Sequence, residues 1–173
     1  MGAKSAKTIR LSGTINGRIV HVLVDSRSTH SFINSKSLQR VGLIAIKIDH
    51  GLRVEVANGQ HMISKLCCQD AWIKFSDDYE FVGDLLVLDM GPIDVVLGCD
   101  WLQSLGKINM DFKALSLSFV HKGCGITLHG VAASKLQVIS ARQLARELKR
   151  ECAIFALNVL VLEGGGHTLC EER

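Results

Sequence analysis

Apolar and polar residues alternate in short stretches from the start of the chain to about residue 131, and turn signals separate the stretches. Ile9 to Ile15 and Arg18 to Val24 flank Asn16-Gly17, a pair whose tolerance of positive φ suits the type I′ turn of a two-residue hairpin. Leu52, Val54 and Val56 alternate with Arg53 and Glu55 ahead of a second Asn-Gly, Asn58-Gly59. That period of two predicts another hairpin, Leu52 to Met62. A third is expected from Leu66 to Phe75 and Tyr79 to Leu88 around Ser76-Asp77-Asp78. Between the first two, Ser31 to Leu43 reads as a short helical or irregular piece. A continuous apolar strand, Ile93 to Leu97, then meets Gly98 and a short helix, Cys99 to Leu105, and strands near Leu115 to Phe119 and Gly125 to Leu128 complete the expected small all-β barrel.

The texture changes after residue 131. From Ser134 to about Leu157 the apolar residues Val138, Ala141, Leu144, Ala145, Leu148, Cys152 and Phe155 recur at three and four, while Lys135, Arg142, Arg146, Lys149 and Arg150 fall mostly elsewhere on the wheel. This predicts an amphipathic helix with a basic face, with a flexible end at Gly164-Gly165-Gly166. The expected division is a β domain over 1–130 and an appended segment over 131–173.

Composition narrows the classes. In 173 residues, 20 Lys and Arg against 17 Asp and Glu leave a net charge of +3, too small to announce a nucleic-acid surface. A chain this long can bury roughly 70% of its unfolded surface, so its six cysteines are not needed as staples. With Cys67 and Cys68 adjacent and no secretory signal ahead of them, reduced thiols in an intracellular, cytoplasmic setting are expected. The longest apolar run, Cys152 to Leu162, is broken by Asn158 and is about half a membrane span.

Candidate chemistry gathers where Val22-Leu23-Val24 ends in Asp25 and runs into Ser26, Arg27, Ser28 and Thr29. A carboxylate at the mouth of a buried strand is held rigidly, and neighbouring hydroxyls and amides can bond it without neutralising it. On these grounds alone an Asp capping the turn or the next helix explains the pattern as well.

The run Val22-Leu23-Val24-Asp25-Ser26-Arg27-Ser28-Thr29-His30-Ser31-Phe32-Ile33 resembles the active-site strand and loop of retropepsin-like aspartic proteases, in particular those of plant gypsy-type LTR retrotransposon polyproteins. Val54-Glu55-Val56-Ala57-Asn58-Gly59 is similar to the flap of that family, and Asp94 to Leu102 to its second signature, an apolar strand and Gly before a helix. Ile108 to Phe119 is similar to the family's segment beyond that helix, and Ile139 to Leu157 to the connector toward reverse transcriptase.

The resemblance implies a closed retropepsin-type β-barrel with one short helix, acting as a homodimer on an extended peptide or polyprotein, in a virus-like-particle context. Asp25 would be catalytic, Ser26, Arg27, Ser28 and Thr29 would form its loop, and Val56, Ala57, Asn58 and Gly59 would cover substrate. It calls for no cofactor and no metal, no membrane, and no nucleic acid for the protease domain itself. One departure stands out: Arg27 replaces the family's Gly. Its bulk at a crowded two-fold contact, any positive φ, and two cations beside the paired carboxyls all argue for a catalytically inactive copy that dimerises or binds peptides as the alternative. A basic RNA-associated fragment has only the C-terminal helix in its favour.

Other signals read as ordinary structure. His121, Cys124 and His129 suggest a hairpin more than a zinc knuckle. Cys67 and Cys68 suggest one buried and one exposed thiol, His30 a structural loop residue, and Trp72 and Trp101 core packing.

Overall fold

The computed structural model describes residues 9–55 and 61–131. The first hairpin forms as its turn chemistry dictates: β1 (Ile9–Ile15) pairs with β2 (Arg18–Val24) in a register that sets Ile15 opposite Arg18. Asn16 and Gly17 take φ of 49° and 73°. The stretch expected to be helical or irregular divides into β3 (Phe32–Asn34) and α1 (Ser35–Val41). Asn34 caps α1 by accepting from the Lys36 amide, and left-handed Gly42 ends it.

β4 (Ile46–Glu55) pairs with β5 (His61–Lys74), with Glu55 opposite His61, and β5 turns into β6 (Glu80–Leu88). β7 (Val95–Leu97) leads through Gly98 into α2 (Cys99–Ser104). Among the described residues two short helices are therefore present where one was expected. β8 (Ile108–Asp111), which the alternation did not single out, joins β9 (Ser116–His121) and β10 (Cys124–His129) in a separate three-stranded sheet.

The larger sheet runs β1-β2-β7-β3-β6-β5-β4. β7 lies parallel to β2 and antiparallel to β3, and β3 lies parallel to β6. The sheet curls until Thr14 stands opposite Lys74, so it meets itself at one residue pair where a closed barrel was expected. Its centre is covered on both faces. Val95 and Leu97 pack into the main core with Val22, Val24 and Trp101, while Val96 and Leu23 pack on the other side with Phe32, Val54 and Ile93. Double coverage is why β7 reads as an unbroken apolar run. Among the described residues no helix is long and apolar enough to cross a membrane. The expected basic helix and Gly-rich tail of 131–173 lie outside the described residues, Val131 excepted.

Two expectations fail on β5. Trp72 is 56% exposed, because strand parity turns Ala71 and Ile73 inward and Trp72 outward; Trp101 alone is buried, donating its indole N–H to the Tyr79 hydroxyl at 2.9 Å. Cys67 and Cys68 are both buried, not one in and one out. They point to opposite faces, and both are covered: Cys68 enters the core while Cys67 sits between Ile46 of β4 and Leu86 of β6. Burial, and then the neighbouring Cys67 thiol, push the Cys68 pKa up to about 11.

Asp94 knots the elements around β2 together. Its carboxylate accepts from the His21 amide, the Ser37 hydroxyl and the Arg40 guanidinium, joining β2 to α1. Burial alone would raise its pKa, but these bonds and the Arg40 charge outweigh burial and hold the carboxyl below its ordinary 3.8. A carboxyl depressed in the folded state stabilises above its ordinary value, and that contribution is lost as pH falls through the folded value. Asp94→Asn is thus expected to cost about 1–2 kcal/mol in urea unfolding at pH 7. The difference from the unmodified chain should shrink below pH 3.8, and a gap that stays constant down to about pH 2.5 would count against the charged network.

Candidate active site

The ladder between β2 and β7 continues one bond past the end of β2, where the Asp25 amide donates to the Leu97 carbonyl at 3.0 Å. This anchors the backbone of Asp25 at the edge of the doubly covered core. The residue is only 6% exposed. The Ser28 amide returns to the Asp25 carbonyl at 3.2 Å, closing a tight turn. Within it the Arg27 amide donates to Asp25 Oδ1 at 3.1 Å.

The rest of the loop stiffens the turn. Ser28 is fully buried and its hydroxyl donates to the His30 carbonyl at 2.8 Å, while Thr29 Oγ1 lies 2.9 Å from His30 Nδ1. Ser26 contributes its carbonyl, which accepts from Cys99 Sγ at 2.9 Å. The Cys99 amide donates to the Ser28 carbonyl at 2.7 Å. Asp25, Ser26, Arg27, Ser28 and Thr29 are therefore tied into one compact loop, to which His30 contributes its carbonyl and its ring.

Gly98 is the point at which this loop rests on β7 and α2. A Cβ there would stand 2.4 Å from the His30 carbonyl oxygen and 2.7 Å from that of Ser28. Backbone cannot yield as a flexible side chain can, so Gly98→Ala is expected to destabilise by about 1–3 kcal/mol in chemical denaturation. Unchanged stability would show that the loop moves freely.

Arg27 behaves differently from its expectation in one respect. Its backbone is not among the positive-φ positions of the described residues, so no left-handed strain arises, and its amide reaches the carboxylate as a Gly amide would. The charge is where it was expected: Nε lies 3.6 Å from Asp25 Oδ1 on a side chain that is 51% exposed. The guanidinium thus stands beside the carboxyl while half of its side chain faces solvent, which screens the contact.

The flap residues Val56, Ala57, Asn58 and Gly59 lie outside the described residues, although β4 and β5, which lead to and from them, are paired up to Glu55 and His61. His121 stands opposite Cys124, while His129 stands opposite Ser116 at the other end of the same hairpin, so these three do not converge. Among the described residues no group of three His, Cys, Asp or Glu side chains is placed to hold a metal. The sequence reading gave no role to Ser31 or Asp100, whose carboxylate accepts from the Ser31 amide and hydroxyl at 2.8 and 2.7 Å. The signal available was a lone Asp two residues after Gly98.

Chemically, one chain presents one rigid carboxyl at the edge of its core with hydrogen-bond donors close by. A second carboxyl in the same position is what acid–base hydrolysis by a carboxyl pair would require.

A family model described as retroviral aspartyl protease matches residues 3–122. No curated protein matches the sequence. Among solved structures, the retroviral protease-like domain of Ddi1 from Leishmania major is similar with a TM-score of 0.55 at 18% identity, over 79% of this chain and all of that one. The EIAV protease complexed with the inhibitor HBY-793 has a TM-score of 0.46 at 19% identity, over 61% of this chain and 95% of that one. At such identity the Ddi1 likeness speaks to the fold, which is all-β and retropepsin-like.

Proposed function

Because the chain belongs to the retroviral aspartyl protease family, we propose that it is an aspartic endopeptidase domain working as a homodimer, one Asp25 from each copy forming the catalytic dyad. The observation that carries this is the loop at the end of β2, in which the Asp25 amide is tied to the Leu97 carbonyl and its carboxyl, on a residue only 6% exposed, accepts from the Arg27 amide. One loop makes half a site, and a two-fold axis supplies the other half.

Two carboxyls about 3 Å apart share one proton. The ionised member takes a proton from water as that water attacks the scissile carbonyl, and the protonated member hydrogen-bonds the carbonyl oxygen as charge develops on it. The pair then passes a proton to the leaving amine as the C–N bond breaks. Substrate would lie extended, bonded as a strand and covered by the β4–β5 hairpin.

The motif from Val22 to Ile33 and that from Asp94 to Leu102 favour an origin in a gypsy-type LTR-retrotransposon polyprotein, with 1–130 as protease and 131–173 as connector. Such an origin carries with it an intracellular site of action. A second reading, an inactive copy that dimerises or binds peptides, is favoured by the Arg27 guanidinium beside Asp25.

Sedimentation at micromolar concentration, paired with a peptide-cleavage assay, tests the proposal. A concentration-dependent dimer is expected. A strict monomer that still cleaves through Asp25 would refute the shared dyad.

A further inference from the structure

The loop that carries Asp25 is held from outside by a carboxylate far along the chain. Asp100 Oδ2 accepts from the Ser31 amide at 2.8 Å and Oδ1 from the Ser31 hydroxyl at 2.7 Å. The same hydroxyl accepts from the Gly98 amide at 3.1 Å, and the Ser31 carbonyl accepts from the Leu86 amide of β6 at 3.0 Å. Ser31 is 1% exposed, and each of its polar groups is used. The Asp100 amide also donates to the Thr29 carbonyl at 3.3 Å. Both ends of the loop are thus fixed to the β7–α2 junction: Asp25 through Leu97, and Ser31 through Gly98 and Asp100.

We propose that Asp100 is a positioning residue for Asp25, bracing the active-site loop through Ser31. The inference rests on the reading that Asp25 is catalytic, and it goes beyond that reading by assigning a role outside the loop. Such bracing matters because a displacement of about 1 Å at the reacting carboxyl can cost on the order of 10²-fold in rate. A buried polar network also holds one geometry only while every member is satisfied.

Asp100 could instead serve only its own helix, since Oδ1 also accepts from the Trp101 amide at 2.7 Å. Asp100→Asn separates the two roles. The oxygen that Asn keeps can still accept from the Trp101 amide, but the side-chain amide that replaces the other oxygen cannot accept from the Ser31 amide.

The experiment uses the full chain carrying Arg27→Gly as parent, with Asp100→Asn, Ser31→Ala and both together. Asp100→Asn is expected to lower kcat about tenfold or more with KM within about threefold. The double variant should lose little more than the worse single one, because both break the same brace. In a readout independent of catalysis, amide exchange at Ser31 and Gly98 should accelerate at least about tenfold in each single variant, while Val22 and Leu86 keep their protection. Should Asp100→Asn not fold, Ser31→Ala tests the brace from its other side.

Unchanged kcat, additive losses in the double variant, or unchanged exchange at Ser31 and Gly98 would each overturn the proposal. A parent that cleaves nothing while the exchange pattern appears would defeat the proposed activity and support the brace. Cleavage without that pattern would do the reverse.

Discussion

Arg27→Gly is expected to raise kcat/KM for peptide cleavage by about 10- to 100-fold. A working dyad keeps one proton between two carboxyls, and acid–base help of this kind contributes on the order of 10²–10⁴-fold. In this chain Arg27 Nε lies 3.6 Å from Asp25 Oδ1, so a dimer brings two guanidinium groups to the pair. Arg27→Gly removes both cations from beside the pair. The effect falls short of the full acid–base contribution because the Arg27 side chain is 51% exposed and partly screened. Since the backbone at position 27 is unstrained, the gain should appear in kcat while unfolding stability changes by no more than about 0.5 kcal/mol. High salt should narrow the gap between the two chains. Equal, pepstatin-sensitive cleavage by both would show that Arg27 leaves the dyad undisturbed and would remove the case for an inactive copy.

Adding Asp25→Asn to the Arg27→Gly chain is expected to lower cleavage by about 10³-fold or more. The side-chain amide keeps the shape of the carboxyl and can still accept at Oδ1 from the amide of residue 27, so folding should be preserved. It can neither take a proton from water nor share one with its partner. Mixing gives a sharper test. If copies exchange freely, about a quarter of the dimers in an equal mixture with the active chain carry two carboxyls, so the inactive chain suppresses its partner. Activity that simply tracks the amount of active chain would mean that each copy works alone, and retained cleavage in the Asp25→Asn chain would move the chemistry elsewhere.

Much of this site was legible in the residues that make it. Asn16-Gly17 specifies a left-handed turn whatever surrounds it, and β1 and β2 formed in the expected register. The apolar run into Asp25 and the run into Gly98 each marked a strand that ends where a loop or helix begins. Less was legible on β5: alternation assigns its residues to two faces without saying which are covered, so Trp72 emerged at the surface and Cys67, flanked by β4 and β6, was buried.

The division reflects the range over which each interaction acts. Turn and cap preferences arise within a few residues, from φ that Asn and Gly tolerate and from side chains that reach their own backbone, so the sequence by itself determined the hairpins, the end of α1 at Gly42 and the strand that delivers Asp25. Only the tertiary structure decided the parallel pairing of β2 with β7, the Asp100–Ser31 brace across 69 residues and the lie of Arg27 against Asp25. Hydrogen bonds and burial between distant segments exist only once the chain has closed the intervening loops, and nothing in the local pattern of either segment names its partner.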